Sequence, residues 1–195
     1  PVNPKVLGVV SKQLAELAGK APDGVCPVVN FADVLDIQAD ILGPVDTPYH
    51  RGVFRVKLVL EDDFPYTAPK GYFMTKIFHP NVSEKGEICV NSLKKDWNPA
   101  AWSLYNIFEV VKCLLIVPFP ESALNEEAGK LFMEDYESYF KHAQILTSVH
   151  AMEKDRKALL SGNDNKMDIE QPDPSKEFKP APKKENDKKK WLKRL

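Results

Sequence analysis

The sequence has few of the features that mark several protein classes. Among its 195 residues there are only three cysteines, Cys26, Cys89 and Cys113, odd in number and far apart. That pattern argues against a disulfide framework and for a reducing compartment. There is no CxxC and no paired Cys/His spacing, so a zinc site is not expected, nor any other metal. No apolar run approaches the ~18 residues of a membrane span. No signal-peptide pattern opens the sequence, and no membrane association is expected. Net charge is also small, at -1, but it hides an asymmetry. Residues 161–195 carry ten Lys/Arg against seven Asp/Glu, and the first 160 carry 17 against 21. The last seventeen residues carry eight basic and two acidic side chains. A mildly acidic body is thus joined to a basic end.

The apolar share, 43%, is ordinary for a globular chain of one core and an appendage. Val6, Val10, Leu14 and Leu17 recur at helical steps, which predicts a helix over 5–19 closed by Gly19. "APDGV" reads as a turn, with Cys26 beyond it in a loop. "LDIQADIL", 35–42, alternates strictly and predicts a half-buried strand. "VFRVKLVL", 53–60, and "YFMTKI", 72–77, predict two more, with short connections that favour an antiparallel meander. Residues 78–103 show no periodicity. Loops of such length in a compact domain are usually functional or disordered. The apolar anchors Ile88, Val90, Leu93 and Trp97 argue for order. A helix is predicted over 104–116, ended by Pro118 and Pro120. A second, capped by Asn125, carries Leu131, Phe132, Tyr136, Tyr139, Phe140, Ala143 and Leu146. The fold class expected is α+β. A catalytic domain over 1–152, a helical extension over 153–162 and a disordered basic tail over 163–195 complete the organisation.

Cys89 lies inside the irregular segment, in "HPNVSEKGEICVN", where a protease nucleophile, a metal ligand, a core residue and an acyl carrier are all conceivable. A protease would need His79 as base, and no cysteine-protease signature surrounds Cys89. His79 precedes Pro80, which restricts it to extended backbone and suits a structural histidine. Cys113 and Glu109 share a helical face opposite Phe108, Val111 and Leu115. Core packing and a partner surface both remain open for Cys113.

"PKGYFMTKIFHPNV" followed by "GEICVNSLKKDW" resembles the ubiquitin-conjugating enzymes. His79-Pro80-Asn81, seven residues, then Cys89 reproduces that family's spacing. Trp97 and "PFPESALN" match as well. The resemblance covers about residues 5–150. "ESALNEEAGK" and the closing "LKRL" resemble the S-type branch, the chain-elongating partner of the anaphase-promoting complex.

The resemblance implies the ubiquitin-conjugating fold: an N-terminal helix, the meander, a long active-site loop, a crossover helix and C-terminal helices. It implies that Cys89 accepts ubiquitin as a thioester from an activating enzyme and passes it to lysine, in chains through ubiquitin's eleventh residue. No cofactor of its own is implied, ATP being used by the activating enzyme. Asn81 matches an oxyanion-stabilising amide, with loop bracing as the competing role, and His79 and Pro80 match structural supports. Glu121 and Ser122 match the acidic gate for the incoming lysine, where many members have a second acid in place of Ser122. Glu109 and Cys113 match the donor-ubiquitin surface, and Lys5 and Lys12 match activating-enzyme contacts. Tyr66, Pro99 and Ala100 match the loops gripped by RING-type ligases. Lys94 lies close enough to Cys89 for self-modification. Three departures stand out: Glu109 where an apolar residue is usual, Phe119 in the Pro-Asn-Pro turn, and one extra residue near Trp102. Cytoplasm and nucleus are the expected locations.

The basic end is open to nucleic-acid attraction. Trp191, Leu192, Arg194 and Leu195 give it the apolar, positional character of a ligase-docking peptide, so nucleic acid is disfavoured. A carrier of another ubiquitin-like modifier and a non-catalytic ubiquitin-binding variant are the alternatives. Variants of the second kind lack the cysteine, which is present here.

Overall fold

A computed structural model describes residues 4–152 apart from 29, 31, 62, 95 and 96. Helix α1, Pro4–Gly19, buries Val10 and Leu17 from the predicted stripe. The strands are β1 Val25–Val28, β2 Ile37–Leu42, β3 Val53–Val59 and β4 Lys70–Phe73. They form one antiparallel sheet in sequence order. Ile41 pairs with Phe54, Ala39 with Val56 and Ile37 with Leu58, so one face of the meander is continuously apolar. That face joins Ile107, Phe108, Val111 and Leu115 of helix α3, Leu104–Ile116, in a single core.

Asp40 departs from the simple alternation, because it is buried on the other face. Two guanidinium nitrogens of Arg55, its cross-strand partner, hold the carboxylate, Nη2 at 2.8 Å.

Four local expectations are corrected. Cys26 lies in β1 rather than in a loop. That strand contains Pro27 and stands at the edge of the sheet, where a proline is tolerated. β4 runs over Lys70–Phe73 rather than 72–77. Past Phe73 the Met74 N–H still donates to the Arg55 carbonyl at 2.8 Å, and the Arg55 N–H donates to the Thr75 hydroxyl at 2.9 Å. The segment 78–103 contains a short helix α2, Val90–Lys94. The single helix after Asn125 is two, α4 Glu126–Glu134 and α5 Tyr136–His150. Asp135 divides them, its side chain accepting from the Ser138 N–H at 3.2 Å as a new N-cap. Asn125 caps α4 as expected, accepting from the Ala128 N–H at 3.0 Å. The extension over 153–162 and the tail over 163–195 lie outside the described residues.

Candidate active site

The His79-Pro80-Asn81 turn is bonded in three directions. The Asn81 N–H can only donate, so it fixes His79 Nδ1, 2.9 Å away, as an acceptor. The ring proton is then on Nε2, which donates to the Leu114 carbonyl of α3 at 2.7 Å. Burial pushes the His79 pKa down to about 4, so the ring is neutral. Its one lone pair is occupied, which leaves a brace and no available base. The Pro80 carbonyl accepts from the N–H groups of Leu124, at 2.8 Å, and Asn125, at 3.1 Å. The Asn81 side chain grips the loop after α3: Oδ1 accepts from the Phe119 N–H at 2.8 Å, and Nδ2 donates to the carbonyls of Phe119, at 2.7 Å, and Ser122, at 3.2 Å.

Cys89 closes a small hairpin on this turn. Val82 bridges Ile88, and the Cys89 N–H donates to the Asn81 carbonyl at 2.9 Å. The hairpin is also tied to β4: Ile88 N–H to the Gly71 carbonyl at 2.9 Å, Phe73 N–H to the Gly86 carbonyl at 2.7 Å. Gly86 sits at φ +89°, and a Cβ there would fall 2.2 Å from the Phe73 carbonyl oxygen. Only glycine fits both conditions. Cys89 itself is only 5% exposed. A cysteine that looks isolated in sequence is packed directly against Asn81.

The other named residues that the structure describes fall in four neighbourhoods. Glu121, exposed, and Ser122, half-buried, form the 3-10 turn Pro120–Ser122 that Asn81 holds. Glu109 and Cys113 lie one turn apart on the exposed side of α3, which decides for surface over core at Cys113. Ile116 at the end of α3 and Val117, Phe119 and Leu124 on the segment that follows are exposed, an apolar group that sequence reasoning missed. Its signal was present in Phe119, an aromatic where the family has asparagine.

Tyr66, 78% exposed, and Pro99 and Ala100, also exposed, lie on two loops joined by Trp97. The indole donates to the Pro65 carbonyl at 3.0 Å and its ring contacts Phe64 and Trp102, each at 6.2 Å. Lys5 and Lys12 are exposed on α1. Trp191, Leu192, Arg194 and Leu195 lie outside the described residues. Among the described residues, no cluster of His, Cys, Asp and Glu could hold a metal ion, and no helix is long and apolar enough to cross a membrane.

A cysteine whose backbone N–H is bonded to a His-Pro-Asn turn, on the loop that follows a four-stranded meander, defines the class: the ubiquitin-conjugating fold. The family model for "Ubiquitin-conjugating enzyme" matches residues 9–147, and the chain belongs to that family. It is therefore a transferase of ubiquitin conjugation; enzymes of this family act with ubiquitin, an activating enzyme and ligases. "Ubiquitin-conjugating enzyme E2 22" of Arabidopsis thaliana is 57% identical over 151 residues, 77% of this chain and 60% of that one. The chain thus spans less than two thirds of that relative's length. "Ubiquitin-conjugating enzyme E2 S" of Drosophila erecta is 51% identical over 167 residues, 86% of this chain and 79% of that one. This relative supports the S-type resemblance. A crystal structure of "a putative ubiquitin conjugating enzyme from Plasmodium yoelii" is 29% identical with a TM-score of 0.69. It covers 76% of this chain and 97% of that one.

Proposed function

We propose that Cys89 carries ubiquitin as a thioester and delivers it to lysine, extending lysine-eleven-linked chains with the anaphase-promoting complex. The thiolate of Cys89 attacks the thioester carbonyl presented by the activating enzyme, and the enzyme's own thiol leaves. A lysine ammonium gives up one proton to Glu121 or solvent, and the neutral amine attacks the Cys89 thioester carbonyl, forming the carbon–nitrogen bond and losing a second proton to solvent. The carbon–sulfur bond breaks and the thiolate is regenerated. No cofactor takes part on this chain, since ATP is used upstream. Cytoplasm and nucleus are the proposed locations. Nucleic acid is not a proposed partner, and the basic end is assigned to a ligase.

The observation that carries the reading is the bond between the Cys89 N–H and the Asn81 carbonyl. It joins the backbone of the thiol-bearing residue to that of Asn81, whose side-chain amide is the proposed oxyanion donor. Both Asn81 amide hydrogens are engaged at rest, the longer bond being the 3.2 Å one to Ser122. Releasing that bond would free a donor at the moment charge develops. It would also loosen the turn carrying Glu121, the proposed acidic gate, with Ser122 beside it. The donor ubiquitin is assigned to the Glu109–Cys113 face, the activating enzyme to Lys5 and Lys12, and a RING-type ligase to Tyr66, Pro99 and Ala100.

Incubation with activating enzyme, ATP and ubiquitin should give a reductant-sensitive adduct that Cys89→Ala removes. Asn81→Ala should slow aminolysis by ~10²–10³ while loading changes far less. Equal losses in the two steps would leave Asn81 with bracing alone. No adduct, or one only with another ubiquitin-like modifier, would refute the ubiquitin reading.

A further inference from the structure

We propose that Tyr49 is a positioning residue: its phenol sets the peptide from which the His79-Pro80-Asn81 turn springs. The inference rests on the acyl-carrier reading and adds a residue that reading does not use.

Tyr49 is fully buried, and its hydroxyl lies 2.8 Å from the Phe78 carbonyl and 2.6 Å from the Tyr139 hydroxyl. A carbonyl can only accept, so the single Tyr49 hydroxyl proton is committed to Phe78. Tyr139 must then donate to the Tyr49 oxygen. The bonds run in one direction, from α5 through Tyr49 to the peptide joining Phe78 to His79. The Tyr49 ring also packs on the His79 imidazole, with centroids 5.8 Å apart. Beyond that peptide the chain of bonds continues: His79 to Leu114 and to the Asn81 N–H, then the Asn81 side chain to Phe119 and Ser122.

The phenol is a fixed post because its backbone is fixed. The Thr47 hydroxyl donates to the Pro44 carbonyl at 2.7 Å and accepts from the Tyr49 N–H at 3.3 Å. The Tyr49 carbonyl accepts from the Gly52 N–H at 2.9 Å. Gly43 packs directly on that carbonyl, leaving no room for a Cβ. Planarity of the Phe78–His79 peptide means that fixing its oxygen fixes its N–H as well. With the oxygen unheld, the plane can rock and His79 loses its alignment with Leu114.

Two substitutions separate positioning from simple destabilisation, because each removes one buried hydroxyl from the same pair. Tyr49→Phe frees the Phe78 carbonyl; Tyr139→Phe leaves that bond in place. In the full chain, hydrogen exchange read by NMR should show the Asn81 amide of Tyr49→Phe accelerated about ten-fold more than the amides of β3. Tyr139→Phe should change both by the same factor. In single-turnover assays, Tyr49→Phe should slow discharge to lysine about ten-fold more than it slows loading of Cys89, the scale of one misaligned polar contact. Thr47→Val, which loosens the post without touching the rings, should give the same split at smaller amplitude and stands in if Tyr49→Phe does not fold. Exchange rising equally at Asn81 and in β3, or loading and discharge falling by one factor, would overturn the inference. The exchange arm needs no ubiquitin. Failure to form a thioester would therefore strike the functional reading and leave this one to be judged on exchange.

Discussion

At the residue scale, His79 shows how burial selects a role. A solvated histidine beside a cysteine invites a base; here both ring nitrogens are bonded and the ring has no exposure. The consequence for pH has a definite sign. An unfolded chain protonates His79 as pH falls through 6.5, while the folded ring resists until about 4. The His79 contribution to stability is therefore fully present above pH 6.5 and is lost as pH falls towards 4. The single ring accounts for roughly 3 kcal/mol across that window. Denaturant unfolding at pH 7, 5.5 and 4.5 should show the decline, and His79→Gln should flatten it. A wild-type curve level over that range would refute the assignment. Asn81 was legible as a motif residue, but its three hydrogen bonds to the Phe119–Ser122 segment were not. Their partners are main-chain groups 38 and 41 positions away, and main-chain groups leave no mark on residue identity.

At the element scale, the hairpin carrying Cys89 depends on one backbone position. Gly86 combines a left-handed φ with contact against the Phe73 carbonyl, and a carbonyl in a strand cannot move aside cheaply. Gly86→Ala should cost roughly 2–4 kcal/mol, from backbone strain and overpacking together. Chemical unfolding tests this, and a loss below about 1 kcal/mol would contradict it. The long helices and the two alternating strands were legible, because their periodicities are set by one face of burial. β1 was not: four residues including a proline carry no period, and the strand exists by pairing with β2. The division of α4 from α5 was hidden as well. Apolar spacing continues across Asp135, whose capping of Ser138 is a polar event.

At the scale of the whole molecule, the two loops assigned to a ligase are far apart in sequence and joined through one indole. Trp97 bonds the Pro65 carbonyl and packs tilted against Phe64 and edge-on to Trp102, so Tyr66 and the Pro99–Ala100 pair are presented together. The basic end is assigned a separable task. Deleting residues 191–195 should abolish ligase-stimulated chain growth while Cys89 loading by the activating enzyme is unchanged. Stimulation that survives the deletion would return the end to the status of a solvated charge run.

By itself, the amino-acid sequence determined the family and the meander. It also determined the cysteine on which the proposed chemistry rests. A motif spacing and an alternating pattern are local quantities, written in residue order. The tertiary structure decided what each motif residue does with its atoms. It made His79 a neutral brace, engaged both amide hydrogens of Asn81, placed Cys113 at the surface, and brought Tyr49 against the turn from an unrelated segment. Those outcomes depend on burial and on contacts between main-chain groups distant in sequence, and such contacts arise only when the core closes.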